Sequence, residues 1–126
     1  MSVVMDTNAL MMPVECDVRV FEELERLLGD DELLVPEAVR DELAKLADGR
    51  GKEAAAASVG LDLAADRCEP VGHEAAYADD AVVEVAGRED VSHAVTNDGP
   101  LKGRLLDAGI PVVSLRAGNK LAVTQP

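Results

Sequence analysis

The chain is poor in the residues from which many nucleic-acid-binding surfaces and most secreted scaffolds are built. Among its 126 residues there is no tryptophan, one tyrosine (Tyr77) and one phenylalanine (Phe21), so no platform of stacked aromatic rings is expected. Basic side chains number 12 against 25 acidic ones, leaving a net charge of −13. That deficit argues against broad phosphate-binding faces, which need Lys and Arg. Cysteine occurs only at positions 16 and 68, far apart and without a CxxC spacing. The pair reads as two reduced, partly buried thiols, and a disulfide framework or thiolate zinc site is not expected. Neither a secretory leader pattern nor an apolar run approaching about 18 residues is present, so the expectation is a cytoplasmic protein with no membrane association.

What is present points to a folded globule. A hydrophobic fraction of 48% is far above that of disordered chains, and the length suits one domain, residues 1–126. Abundant Ala and Val, basic residues that are mostly Arg, and a heavy acidic excess fit a salt-rich cytoplasm, where repulsion is screened within a few Å. A halophilic origin is the expectation.

Short apolar runs alternate with segments of helical period. Strands are expected at Val3–Met5, Leu33–Val35, Cys68–Val71, Ser92–Thr96 and Pro111–Leu115. Between them, Asp17 is placed to cap a helix carrying Phe21, Leu24 and Leu28, which Gly29 ends. Pro36 suits the first position of a helix with Val39, Leu43 and Leu46 on one face. An Ala-rich helix is expected from about Glu53 to Asp66, another over Ala78–Ala86, and a last one from Pro100 to Asp107. Strands that alternate with helices and are apolar throughout imply crossovers and a buried parallel sheet. The expected fold is a three-layer α/β/α sandwich with a parallel sheet of about five strands.

Such sheets place their sites at the carboxyl ends of the strands, near a switch in strand order. Asp6 directly follows the apolar Val3-Val4-Met5, and Asp98 follows Ala94-Val95-Thr96 in the same way. Helical phase sorts the other acids. With Val39 at zero and roughly 100° per residue, Leu43, Leu46 and Ala47 cluster on one side, Glu42 borders that face, and Asp41 points to water. Pairing of Glu42 with Lys45 or Arg50 is the plain alternative. Asp79 shares a face with Val82, Val83 and Ala86, whereas Asp80 is rotated by one residue. Asp6, Glu42, Asp79 and Asp98 would therefore gather at one sheet edge. Four carboxylates repel one another unless protonated or bound to a hard cation. Oxygen donors without His or Cys suit Mg²⁺ or Mn²⁺, and such sites serve phosphodiester hydrolysis.

On these residues the chain resembles the PIN-domain ribonucleases, related to the flap-endonuclease fold. The similarity runs through VVMDTNALM, VPEAVRDEL, AYADDAVVEVA and AVTNDGPLKGRLLDAGIPVVSLR. It implies a metal-dependent endoribonuclease with Asp6, Glu42, Asp79 and Asp98 in the acidic metal site, Asp80 as an extra carboxylate, and Asn8 and Thr96 supporting the pocket. The Tyr-Ala-Asp-Asp form is similar to rRNA-processing PIN proteins of the small-subunit processome type and their archaeal relatives. The likeness to VapC-type toxins is more general. Partners implied are an RNA substrate, an rRNA precursor among the choices, an antitoxin or ribosome-assembly protein, and a second copy in a homodimer. A non-catalytic PIN scaffold is a further alternative. A haloacid-dehalogenase-type phosphohydrolase fits poorly, because Asp-Thr-Asn stands where DxD is needed.

Lys102, Arg104 and Arg116 are the expected RNA contacts, the first two near a helix start whose free N–H groups also meet phosphate. His73 and His93 read as a loop and a strand residue. The charge excess carries a first prediction. Thermal melts in rising KCl should show a higher midpoint as self-repulsion is screened; a midpoint that rises on dilution into low salt would sink the halophilic reading.

Overall fold

A computed structural model describes all residues, 1–126. The order of elements is β1 (Ser2–Met5), α1 (Thr7–Glu15), α2 (Val20–Leu28), β2 (Glu32–Pro36), α3 (Glu37–Ala47), α4 (Gly51–Arg67) and β3 (Glu69–Val71). The second half continues with α5 (Ala78–Ala86), β4 (Val91–Val95), α6 (Gly99–Asp107), β5 (Val112–Ala117) and β6 (Lys120–Thr124).

The six strands form one sheet in the order β3-β2-β1-β4-β5-β6. All neighbours are parallel except β5 and β6. β1 lies at the centre, paired with β2 through Val3↔Leu33 and Val4↔Leu34 and with β4 through Val4↔Ala94 and Met5↔Val95. A strand flanked on both edges and covered on both faces has no route to water. Val3, Val4 and Met5 are accordingly buried completely, as their unbroken apolar run anticipates. The chain first walks from β1 to β2 and β3, then returns to β4 on the other side of β1. The order thus reverses between β1 and β4, and the two carboxyl ends flank the crevice that this reversal opens.

The helices bury the faces their spacing provides. α3 turns Val39 and Leu43 inward, and α5 buries Ala78, Ala81, Val82, Val85 and Ala86 over β1, β2 and β4. α4 packs on α1 and α3 with Ala54, Ala56, Ala57, Gly60 and Ala64. α6 lies on β5 and α2 on β6. No helix is long and apolar enough to cross a membrane.

The strands fall within a residue or two of expectation, and several details differ. Thr7–Glu15 is a helix, where only a turn followed by core was expected. Thr7 and Ala9 to Met12 are all buried, so the segment shows no polar stripe from which a period can be read. Asp17 caps nothing. It adopts φ +53 in the link between α1 and α2, and Arg19 stands at the start of α2. Pro36 ends β2 and precedes α3 as its N-cap residue. The antiparallel β6 is an addition. Its signal is Gly118-Asn119 between Ala117 and Lys120, a two-residue hairpin loop with Gly118 at φ +57.

Glu23 ties β6 down. Its carboxylate accepts from Arg26 at 3.0 and 2.8 Å and from the Leu121 backbone N–H at 2.9 Å, while Arg26 also donates to the Leu121 carbonyl at 3.1 Å. The Arg26 hydrogen bonds, then the Leu121 amide, hold the Glu23 carboxyl down to about 2.

Gly60 sets how closely α4 approaches α1. A Cβ there would stand 3.0 Å from the Leu10 carbonyl oxygen and 3.2 Å from Leu43 Cδ2. Gly60→Val should therefore cost about 1–3 kcal/mol through overpacking, read as a lower denaturant midpoint at unchanged slope. Ala65→Val, at an exposed position of the same helix, should cost only about 0.5 kcal/mol of helix propensity.

Candidate metal centre

Asp6 stands between β1 and α1, as the N-cap residue of the helix and only 2% exposed. Its side chain does not cap the helix; it is engaged across the sheet. Thr96 Oγ1 donates to Asp6 Oδ2 at 2.7 Å, and Asn8 Nδ2 donates to the same oxygen at 3.0 Å. Oδ1 is left without a side-chain donor. The backbone joins in, with the Asp6 N–H on the Val95 carbonyl at 3.1 Å.

The same residues position the second aspartate. Thr96 Oγ1 accepts from the Asp98 N–H at 3.1 Å, and Asn8 Oδ1 accepts from the Asn97 N–H at 2.8 Å. Asn97 Oδ1 accepts in turn from the Leu115 N–H at 3.2 Å, linking the turn to β5. The β4–α6 turn is thereby fixed to the start of α1, and Asp98 to Asp6.

Asp6, Glu42, Asp79 and Asp98 all line one pocket of about 240 Å³, with Thr7, Asn8 and Met11 from α1. Glu42 comes from α3 and Asp79 from the first turn of α5. Neither Lys45 nor Arg50 pairs with Glu42; the four ion pairs of the molecule lie elsewhere. Sequence reasoning missed two further carboxylates on the rim, Glu15 and Glu53. Glu15 lies on the unexpected α1, and Glu53 passes in sequence for an ordinary first-turn acid of α4.

Asp80 is a correction. It takes no part in the pocket lining and instead pairs with Arg104 at 2.9 Å, because one residue along α5 rotates it by about 100° from Asp79. Arg104 is consequently engaged by a neighbouring acid, and Lys102 donates to Ser114 Oγ at 3.2 Å. Arg116 stands exposed near the end of β5. His93 lies on β4 with Nδ1 2.8 Å from Ser92 Oγ, away from the pocket lining.

Electrostatics mark the pocket as short of positive charge. Burial pushes the Asp6 carboxyl up to about 6; hydrogen bonds from Thr96 and the Thr7 backbone oppose the shift, and the charges of Asp79 and Glu42 add to it. Asp79 is also raised, by desolvation and then by Asp98 and Glu42, with the Arg104 charge opposing. The carboxylates ring the space without three of them converging on one ligating point, as mutually repelling groups do. Thr7 Oγ1, in the lining, is buried and has no hydrogen-bond partner. Carboxylates as the only charged groups of the lining, with an orphaned hydroxyl and no His or Cys, fit a hard divalent cation in donor chemistry.

The PIN-like domain family matches residues 3–118. The chain belongs to this family. It is 30% identical over 118 residues to a protein named ribonuclease VapC4 from Methanocaldococcus jannaschii, covering 90% of this chain and 89% of that one. Its structure superposes on that of the PIN domain endonuclease Utp24 with a TM-score of 0.81 and 28% identity, over 99% of this chain and 92% of the other. A VapBC2 structure from Rickettsia felis, bound to a promoter DNA fragment, gives 0.62 and 16% identity over 90% and 98%, which shows the fold alone.

Asp6 binds its proton more tightly in the folded chain than the unfolded value of 3.8. Its contribution is present below pH 3.8 and lost as pH rises through about 6. In metal-free protein, Asp6→Asn should therefore remove a fall in stability of up to about 3 kcal/mol across that window, measured by denaturant titration at a series of pH values. An unchanged pH profile in the variant would contradict the assignment.

Proposed function

We propose that this chain is a metal-dependent endoribonuclease that hydrolyses RNA phosphodiesters. The observation that carries the reading is the pocket at the strand-order reversal, lined by Asp6, Glu42, Asp79 and Asp98 from four parts of the fold, with no Lys or Arg in the lining and none of the four in an ion pair. The named ribonuclease at 30% identity and the likeness to the endonuclease Utp24 support it. In this reading the four carboxylates hold Mg²⁺ or Mn²⁺. The bound ion would supply Lewis-acid polarisation of a phosphoryl oxygen and a more acidic water.

The chain's own residues do the rest. Thr96 and Asn8 fix one oxygen of Asp6, so that the other faces its task without rotamer freedom. Thr96 also fixes the backbone of Asp98. Asp79, in the first turn of α5, completes the ring of carboxylates that would hold the ion.

The role favoured by Tyr77-Ala78-Asp79-Asp80 is rRNA processing in the cytoplasm. The second reading is a toxin ribonuclease held by an antitoxin, which the VapC4 identity favours. Val14 on α1 and Val59 on α4 are exposed apolar residues, and a homodimer through these helices belongs to either reading.

Purified protein with Mn²⁺ should cleave structured RNA, and EDTA should stop it. Asp6→Asn and Asp98→Asn, checked for wild-type folding by circular dichroism, should each lower the rate by at least about 100-fold. Cleavage that survives both substitutions, or persists in EDTA, would refute the mechanism. A small upstream reading frame whose product binds the chain and blocks cleavage would decide for the toxin.

A further inference from the structure

A second hollow adjoins the acidic pocket. It has a volume of about 440 Å³ and runs between α3 and the start of α5. Glu42 lines both spaces, so the two lie side by side across its side chain. At the far side of the groove stands Tyr77, the only tyrosine of the chain and 75% exposed. Lys45 is the one cation in its lining, beside the acids Asp41 and Glu42, and it takes part in no ion pair. Ala38, Ala76 and Ala78 contribute small apolar surface.

An aromatic ring left three-quarters in water costs apolar hydration unless something covers it. Tyr77 is not on a loose tip. Its carbonyl accepts from the Ala81 N–H at 2.9 Å as α5 begins. The preceding loop is braced from two sides. Glu84 of α5 accepts from the Glu74 and Ala75 amides at 2.9 and 3.0 Å, and Arg88 donates to the Gly72 carbonyl. His73 Nε2 accepts from the Ala38 N–H of α3 at 3.0 Å. The ring is thus carried by a backbone anchored to both walls of the groove, which lowers the ordering cost of binding.

We propose that this groove seats an unpaired nucleobase of the substrate strand, stacked on the Tyr77 ring next to the acidic pocket, with Lys45 on an adjoining phosphate. The inference rests on the ribonuclease reading for the identity of the strand, and Tyr77 is a binding residue, not a catalytic one. The ring accepts any base, because every base has a π-face. It accepts only a base drawn out of a helix, so unpaired segments flanking the cut are preferred over duplex. A protein partner covering Tyr77 is the competing occupant. The position beside the acidic pocket, across Glu42, and an ammonium at Lys45 free of any ion pair favour the nucleic acid.

The absence of tryptophan makes the test direct, since Tyr77 is the only tyrosine and dominates the intrinsic emission of the chain. Single-stranded oligoribonucleotide titrated in Ca²⁺, in place of Mg²⁺ or Mn²⁺, should quench that emission; a strand with abasic sites throughout should not. A matched oligodeoxyribonucleotide separates base stacking from ribose recognition, and equal quenching by both supports stacking as the dominant contact. Tyr77→Ala should weaken binding of labelled oligoribonucleotide by roughly 5- to 100-fold, with Tyr77→Phe close to wild type. In cleavage assays the Ala variant should lose in KM far more than in kcat.

Emission unchanged at saturating oligonucleotide, or Tyr77→Ala binding as wild type does, overturns the proposal even where Mn²⁺-dependent cleavage is intact. Quenching and Tyr77-dependent binding without any cleavage would instead retain the groove and fell the nuclease reading.

Discussion

The Thr96 hydroxyl holds the acidic edge together. It donates to Asp6 at 2.7 Å and accepts from the Asp98 amide at 3.1 Å and, more weakly, from Asn8 Nδ2 at 3.4 Å, so its one proton and both acceptor sites are engaged. Thr96 is completely buried at the end of β4, and Asp6 follows the neighbouring β1. The contact is possible only because these strands are adjacent at the reversal of strand order. A valine of the same shape would leave Asp6 with Asn8 as its sole side-chain donor and leave the Asp98 amide without its acceptor. Register, strand order and the pocket therefore meet in one hydroxyl.

Glu23 and Asp6 show what separates a structural carboxylate from an available one. Both are nearly inaccessible. Glu23 accepts from a guanidinium and a backbone amide, and its carboxyl sits far below the ordinary range. Asp6 has only neutral donors, with acids for neighbours, and its carboxyl sits above that range. Burial alone does not distinguish them; the sign of the surrounding charge does. Glu23 spends its charge on docking α2 against β6, whereas Asp6 keeps a demand for positive charge that no side chain of the protein meets.

How much of this was legible in the sequence follows from the physics of each signal. Buried parallel strands read as apolar runs, so Val3–Met5 of β1, Leu33–Val35 of β2 and the Ala94-Val95 end of β4 stood out, and with them the strand-end positions of Asp6 and Asp98. Periodicity located α3 and α5 and picked out Glu42 and Asp79, both of which line the pocket. It failed for α1, whose apolar residues are buried through consecutive positions and present no stripe. That failure hid Glu15, and Glu53 was hidden because first-turn acids are ordinary. The expectation that Asp79 rides a buried face also needed adjustment: it is exposed on the rim and turned to the other acids. Asp80 and Arg104 could not be assigned from spacing, because their ion pair joins α5 to α6 across 24 positions. The exposure of Tyr77 is likewise a tertiary fact, which its place in the sequence does not reveal.

A net charge of −13 poses the remaining physical problem for a protein that acts on a polyanion. Long-range attraction is unavailable, and of the expected cationic contacts Arg104 is neutralised by Asp80 while Lys102 is turned to Ser114. Charge-driven affinity also falls steeply with salt, because it derives from counterion release. Stacking does not share that weakness: it is short-ranged and indifferent to the sign of the surface around it. At high ionic strength, where the screening length shrinks to a few Å, repulsion between RNA and the acidic surface fades while contact with an aromatic ring persists. A single exposed tyrosine beside the carboxylates is therefore the kind of contact such a surface needs, and more arginines would have added affinity that salt removes. The same screening leaves the pocket as the place where acids still act on one another, lying close enough to raise proton affinity. Acidic surface and acidic site are then separate features: salt quiets the first, and only a bound cation or protons satisfy the second.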